Sequence, residues 1–159
     1  GTEAGVFGKF FIDIGDEQSI ENDLSTYTSH LRNMKFFSLK AGKNSLFLID
    51  EFGTGTEPQL GGAIAEAVLE HLNFKQAFGV STTHYSNLKL LANKTPGLVN
   101  GAMLFDTRLM QPLFRLQIGN PGSSFAFEIA RKTGFPWFIL KNAAKKVGKA
   151  QLKFDEQLQ

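Results

Sequence analysis

The sequence predicts an α/β fold with a largely parallel sheet flanked by helices. Short apolar runs alternate with longer segments of helical periodicity, which is typical of strand–helix–strand units. The run from Leu46 to Ile49 is wholly apolar and lies between polar neighbours, which predicts a central strand. Because it ends in Asp50 and Glu51, two carboxylates are expected at the edge of the sheet where ligands of such folds bind.

The first strand and the first helix follow from the same periodicity. Phe10 to Ile14 is a short apolar strand, and the polar stretch from Asp16 to Asp23 is expected to be a loop. A helix is expected from Ser25 to about Phe37, because apolar residues line one side of it. These stripe residues are Tyr27, Leu31 and Met34.

A second helix is expected from about Pro58 to Leu72. Apolar residues recur there at every fourth position, at Leu60, Ile64, Val68 and Leu72. Proline suits the first turn of a helix, and Thr56 or Glu57 can cap this one. Ala77 to Val80 is the next apolar strand, so strands and helices alternate throughout this half of the chain.

The sequence of the second half of the chain predicts a β-hairpin that lies between helices. The expected elements are a helix over Tyr85 to Asn93, strands near Leu98 to Phe105 and Leu113 to Gln117, a helix capped by Ser123 or Ser124 through Thr133, and a last helix to about Gly148. Proline and glycine residues separate these segments, as expected for turns and helix ends.

Composition narrows the class of protein. With 159 residues, the chain is one domain or part of one. It has no cysteine, which excludes disulfides, thiolate metal sites and thiol nucleophiles. A net charge of +2 does not by itself indicate a polyanionic partner. No apolar run is long enough for a membrane span and no signal peptide is visible, so a cytoplasmic location without membrane contact is expected.

Acidic, hydroxyl and imidazole side chains follow two strands of the predicted sheet. The segment after Asp50 and Glu51 contains Gly53, Thr54, Gly55 and Thr56, and the strand ending at Val80 is followed by Ser81, Thr82, Thr83 and His84. Because the carboxyl ends of parallel strands share one edge of a sheet, these groups are expected near one another. A solvated acidic turn and a structural histidine are the alternative interpretation of these residues alone.

In this order the segments resemble the motifs of an ABC-type ATPase. The resembling segments are Leu24 to Thr26 (signature), Leu46 to Glu51 (Walker B), Gly53 to Thr56 (D-loop) and Thr82 to Tyr85 (H-loop). Phe11 to Ile20 and Asp50 to Pro58 are similar to the MutS family of DNA-repair ATPases, in particular to its second bacterial branch, whose members carry a Smr nuclease domain. Gly119 to Arg131 also fits this family.

The resemblance implies a role for each motif in a P-loop ATPase domain that uses ATP and Mg²⁺. Asp50 would hold Mg²⁺, Glu51 would activate the attacking water, and His84 would sense the γ-phosphate. Ser25 and Thr26, at the opening of a helix, would contact the γ-phosphate held by the other subunit of a homodimer. Gly53, Thr54, Gly55 and Thr56 would line the subunit contact near the nucleotide. ATP-driven closure of the dimer would then act on DNA through other domains.

The chain departs from the family pattern at one point. It contains no Gly-x-x-x-x-Gly-Lys-Ser/Thr segment, the loop whose amides and lysine hold the phosphates. The expectation is therefore that residues 1–148 are the C-terminal part of a MutS-type ATPase domain and that residues 149–159 are a helical extension or linker. Alone, such a fragment is expected to bind ATP poorly and to be inactive.

Two other functions compete with a mismatch-repair or recombination-suppressing ATPase. One is a metal-dependent phosphodiesterase that uses Asp13, Asp16, Asp50, Glu51 and His84 directly. The other is a non-catalytic dimerisation or DNA-associated module. Gln18 is a candidate metal or water ligand, and a polar surface loop is the alternative interpretation. The lysines of the last helix are interpreted as a solvated face rather than a nucleic-acid site, because no aromatic residues interleave with them.

Overall fold

The computed structural model describes residues 1–14 and 23–158, and the side chains of residues 1–14 and 26–148. The chain divides into two compact units, Gly1–Leu91 and Ala92–Gln159. Within the described residues, no helix combines the length and the apolar character that crossing a membrane requires.

A three-stranded parallel sheet forms the centre of the first unit. Its strands, in spatial order, are β1 (Lys9–Asp13), β2 (Ser45–Ile49) and β3 (Phe78–Ser81). The connecting helices are α1 (Asp23–Lys40) and α2 (Pro58–Phe74), and α3 (Ser86–Lys94) follows β3. Each parallel connection therefore passes through a helix, as the geometry of parallel strands requires. The predicted α/β class with a parallel sheet flanked by helices is confirmed.

The strand register separates the two faces of this sheet. Phe11 lies beside Phe47, and Asp13 lies beside Ile49, so that all four share one face and all four are buried. Helix α1 packs on this face, where the rings of Phe11 and Phe37 are 5.3 Å apart. The core of the first unit therefore lies between the sheet and its helices.

Helix α2 has the predicted position but a different buried side. Leu72 is fully buried as expected, whereas Leu60 is 65% exposed and Ile64 is 43% exposed. Gly61, Gly62 and Ala65 are buried instead. A Cβ atom on Gly61 would lie 2.7 Å from the carbonyl oxygen of Gly53 in the preceding loop, and one on Gly62 would lie 2.9 Å from the side chain of Asn87. Glycine is therefore favoured where α2 approaches these neighbours.

The second unit consists of an antiparallel hairpin and two helices. Its elements are β4 (Gly101–Asp106), β5 (Gln111–Ile118), α4 (Ala126–Lys132) and α5 (Trp137–Leu158). The hairpin was predicted, and α5 continues past the predicted end at Gly148. Of the two serines predicted to cap α4, Ser124 contributes, because its hydroxyl accepts a hydrogen bond from the N–H of Ala126, the first residue of the helix, at 3.4 Å. Phe125 occupies the cap position itself and makes no side-chain hydrogen bond.

Candidate functional site

The two carboxylates that follow β2 lie at the carboxyl edge of the parallel sheet, beside the end of β3. Asp50 and Glu51 are both exposed. The hydroxyl of Thr82 accepts a hydrogen bond from the backbone N–H of Glu51 at 2.8 Å and donates one to the carboxylate of Asp50. One side chain on the neighbouring strand end therefore fixes the direction of Asp50 and the backbone of Glu51.

The backbone at this edge continues the parallel ladder beyond the strands. The N–H of Thr82 donates to the carbonyl of Ile49 at 2.9 Å, and the N–H of Phe52 donates to the carbonyl of Thr82 at 3.0 Å. The N–H of Asp50 donates to the carbonyl of Asp13 at 2.9 Å. All three strand ends are thus tied together immediately before the acidic pair.

Glu51 has an unusual backbone conformation. Its φ is +49°, in the left-handed region that costs a residue with a Cβ atom free energy. Residues held in such a conformation are often found at binding and catalytic sites, where the surrounding structure compensates for the strain. Here the hydrogen bond from the Glu51 N–H to Thr82 contributes to that compensation.

The loop from Gly53 to Thr56 is shaped by a close approach to α2. Gly53 has a φ of +87°, and a Cβ atom there would lie 2.6 Å from the ring of Tyr85 and 3.1 Å from the carbonyl oxygen of Gly61. The hydroxyl of Tyr85 donates to the Gly53 carbonyl at 2.6 Å. Burial raises the pKa of this hydroxyl above its ordinary value of 10.0, and the nearby Tyr27 and Glu57 add to the effect. The proton that this bond uses is therefore kept to a higher pH than in an ordinary tyrosine.

Glu57 caps helix α2, and it is one of the two residues that the sequence predicted as its cap. Its carboxylate accepts hydrogen bonds from the N–H groups of Gln59 at 3.0 Å and Leu60 at 2.8 Å. These two bonds lower the pKa of Glu57 below its ordinary value of 4.5, because they stabilise the ionised form. The N-terminus of α2 already holds a carboxylate of its own chain.

A small cavity lies at the carboxyl end of β1, next to α1. Its volume is about 180 Å³, and polar residues on its wall include Asp13, Thr26, Ser29, His30 and Asn33. His30 Nδ1 lies 2.6 Å from one oxygen of Asp13, and the amide of Asn33 donates to the other at 3.0 Å. The side chain of Asp13 is therefore held by two residues of α1.

The structure places the predicted site residues after two strand ends, those of β2 and β3, and on one helix, α1. His84 lies in the loop between β3 and α3, is exposed, and follows the Thr82 that binds Asp50. Thr54 and Thr56 are half-buried in the loop after β2, and Gly55 has a φ of +91°. Roles for these residues in nucleotide binding stay predictions.

One prediction about the helix carrying Ser25 was wrong. Helix α1 begins at Asp23, so Ser25 and Thr26 lie inside its first turn, whereas Ser25 was expected to open it. The first four N–H groups of a helix have no partner within it, so this turn still presents backbone donors. Asp16 and Gln18 lie outside the described residues.

The described residues contain no group of three or more His, Asp or Glu side chains that could hold a metal ion. Asp13, one member of the metal cluster proposed as an alternative, is bound to His30 and Asn33 instead. Asp16, which belonged to the same hypothesis, is outside the described part of the chain.

Sequence reasoning missed three contacts of this region: Thr82 with Asp50, Tyr85 with Gly53, and His30 with Asp13. Only the contact of His30 with Asp13 had a signal in the local sequence. An aspartate at a position that faces the core of a strand needs a partner, because buried carboxylates are paired or hydrogen-bonded. The identity of that partner depends on how α1 packs.

Comparison with known proteins shows the family to which the chain belongs. The profile of a family described as MutS domain V matches residues 2–151. The chain is 44% identical over 158 residues to Endonuclease MutS2 of Clostridium kluyveri, covering 99% of this chain and 20% of that protein. It is 42% identical over 159 residues to Endonuclease MutS2 of Clostridium novyi, covering 100% of this chain and 20% of the relative.

A similar match extends beyond the clostridia. Endonuclease MutS2 of Thermomicrobium roseum is 44% identical over 155 residues, covering 98% of this chain and 20% of the relative. The chain thus spans about a fifth of the length of the curated relatives that it matches. The family match covers nearly the whole chain, including β1, β2, β3 and the loops that follow them. The chain therefore belongs to the MutS family, as a domain V of the MutS2 branch.

Proposed function

We propose that this chain is the C-terminal part of an ATP-binding and ATP-hydrolysing domain in a longer MutS-type protein that acts on DNA in mismatch repair or in suppressing recombination. The observation that supports it most is the edge where Thr82 orients Asp50 and Glu51 after the central parallel strand. Ligands of open α/β sheets bind outside the carboxyl ends of the strands, and carboxylates there would suit a magnesium nucleotide. Membership of the MutS family supports the same assignment.

The side chains at this edge fit Mg²⁺ and a nucleotide. Mg²⁺ prefers oxygen ligands and is commonly bound through one or two carboxylates together with phosphate groups. Asp50 is exposed and offers its second carboxylate oxygen, because Thr82 occupies the first. When bound, the ion would neutralise charge that develops on the phosphates. Asp50 is the residue that would hold it.

The roles of the remaining residues follow from their positions. Glu51 would orient and deprotonate the water that attacks the γ-phosphate. Its left-handed backbone conformation sets the direction in which its side chain leaves the backbone. His84 would approach the same phosphate from the loop after β3. Ser25 and Thr26, in the first turn of α1, would meet the phosphate held by the other subunit of a homodimer, with Gly53, Thr54, Gly55 and Thr56 near the subunit contact.

The first prediction tests Glu51 in the full-length protein. Glu51→Gln keeps the size of the side chain but cannot accept a proton from water. We expect ATP binding to stay within about twofold and the hydrolysis rate to fall by about 100-fold or more, in the range that general bases contribute. Steady-state phosphate release and equilibrium binding of ATP measure the two quantities.

Glu70→Gln is the matched control, because Glu70 is also an exposed glutamate but lies on α2. It should leave both quantities unchanged. If Glu51→Gln hydrolyses ATP at the rate of the unmodified protein, Glu51 is not a catalytic residue and the proposed mechanism is contradicted.

One observation favours a second candidate, an association module. The second face of the sheet, formed by Phe10, Ile12, Phe78 and Val80, is more than half exposed in this chain. Parallel sheets are normally covered on both faces, so this surface is expected to contact protein. Self-association that does not respond to ATP in the full-length protein would favour this alternative.

A further inference from the structure

Asp13 is the point where the acidic edge of the sheet is joined to helix α1. Its side chain is only 6% exposed, although it ends a strand at the edge proposed to bind the nucleotide. Both carboxylate oxygens have partners on α1: His30 contacts one and Asn33 contacts the other. A carboxylate oxygen accepts hydrogen bonds, so His30 is the donor in this pair, through Nδ1.

The backbone of the same residue faces the neighbouring strand. The carbonyl of Asp13 accepts the N–H of Asp50 at 2.9 Å. Asp50 is the proposed Mg²⁺ ligand and is oriented on its other side by Thr82. A displacement of Asp13 therefore moves the backbone from which Asp50 projects.

The helical partners lie close to the proposed γ-phosphate contacts. His30 and Asn33 are three residues apart and share one face of α1. Thr26 is one turn before His30 and lines the same cavity as Asp13 and His30. A rigid helix transmits a displacement at His30 directly to its first turn.

We propose that Asp13 and His30 are positioning residues that couple the two nucleotide sites of the dimer. This inference rests on the proposed function, in which α1 serves the nucleotide of the partner subunit while Asp50 serves the nucleotide of its own. The hydrogen bond between His30 and Asp13 joins these two groups within one subunit. Closure of α1 on one ATP then sets the geometry of Asp50 and Glu51 around the other.

The experiment measures hydrolysis by the full-length dimer as a function of ATP concentration. His30→Ala removes the link, while His30→Asn retains a donor close to the position of Nδ1. His71→Ala is the matched control, because His71 is also a helical histidine and contacts a backbone carbonyl, that of Ser38, outside this link. Equilibrium binding of a non-hydrolysable ATP analogue to each variant is measured in parallel.

We expect the Hill coefficient of the unmodified protein to exceed 1 and that of His30→Ala to fall to 1. The kcat of His30→Ala should decrease about fivefold or more, the size of a typical coupling between sites, with analogue affinity within about twofold. His30→Asn should restore the Hill coefficient, and His71→Ala should not change it. A residue with only a structural role would lower the active fraction and would not change the Hill coefficient.

A second variant keeps the test decisive if His30→Ala does not fold. Asp13→Leu combined with His30→Leu removes both members of the pair and leaves no buried charge without a partner, which is tolerated better than removal of one. It should show the same loss of cooperativity. An unchanged Hill coefficient in either folded variant, or a value of 1 in the unmodified protein, would overturn the coupling. The proposed function has a separate test, because it fails only if Glu51→Gln hydrolyses ATP at the normal rate.

Discussion

At the level of single residues, Thr82 joins the two acidic residues at the edge of the sheet. Its hydroxyl accepts a hydrogen bond from the Glu51 backbone and donates one to the Asp50 carboxylate. Hydrogen bonds to charged groups contribute more than neutral ones, about 1.5–3 kcal/mol. Thr82 is therefore expected to matter for catalysis although it does not itself react.

The prediction for Thr82 compares two substitutions of similar size. Thr82→Val removes the hydroxyl and should lower the kcat of the full-length ATPase by about 10-fold, because about 1.4 kcal/mol corresponds to a factor of ten. Thr82→Ser keeps the hydroxyl and should retain most of the activity. Steady-state hydrolysis at saturating ATP and Mg²⁺ measures both.

Equal activity of Thr82→Val and the unmodified protein would show that Asp50 is oriented without this bond. A smaller effect at high Mg²⁺ concentration than at low concentration would instead locate the role of Thr82 in metal binding, because excess ion compensates for a weakened site by mass action.

At the level of secondary structure elements, the first turns of α2 depend on their neighbouring loop. A Cβ atom on Gly61 would lie 2.7 Å from the carbonyl oxygen of Gly53 and from a methyl group of Thr56. The helix can therefore approach the loop only with glycine at this position. Glu57 completes the junction, because it satisfies two N–H groups at the start of the helix.

The prediction for this element concerns its dependence on pH. The pKa of Glu57 is lowered in the folded protein, so its contribution to stability is present above its ordinary value of 4.5 and is lost as the pH falls through the folded value. Glu57→Gln should therefore lower the midpoint of thermal unfolding at pH 7 and have a smaller effect at pH 3. Circular dichroism at 222 nm measures the transition.

Glu70→Gln again provides the comparison within α2, because the exposed Glu70 lies far from the first turn of the helix. Its effect should be small at both pH values. If Glu57→Gln destabilises the protein equally at pH 7 and pH 3, the ionised cap is not the source of the effect.

At the level of the whole molecule, apolar surface is distributed unevenly. Every described residue of the buried hydrophobic core belongs to the first unit, between Phe11 and Leu91. In the second unit, β5 is exposed along its whole length and includes Leu113, Phe114, Leu116 and Ile118. Large contiguous apolar surfaces of this kind mark sites of contact with other protein segments.

The prediction at this scale is that the isolated chain self-associates through its apolar surfaces. Ile12→Thr combined with Val80→Thr reduces the apolar character of the exposed sheet face, and should lower the apparent mass measured by light scattering. Leu60→Thr is the control, because Leu60 is similarly exposed but lies on α2. A monomeric isolated chain, or equal effects of the two variants, would show that the sheet face does not mediate association.

The sequence alone determined the order of strands and helices and the position of the acidic pair. Both are local properties: apolar periodicity specifies each element, and a strand that ends in two carboxylates specifies the edge at which they lie. The resemblance to the MutS family could also be recognised in the sequence, because it depends on motifs that follow one another in a fixed order. Helix boundaries were less determined, because α1 begins before Ser25 and α4 begins two residues after Ser124, and helix ends vary by one or two residues.

Only the tertiary structure decided which side chains meet at the site. The pairs His30–Asp13, Thr82–Asp50 and Tyr85–Gly53 are separated by 17, 32 and 32 residues in the chain. Their contacts depend on strand register and on how the helices pack, which no local pattern encodes. The same packing buried Gly61 and Gly62 of α2 and left Leu60 exposed, because a Cβ atom on either glycine would approach the preceding loop or Asn87 too closely.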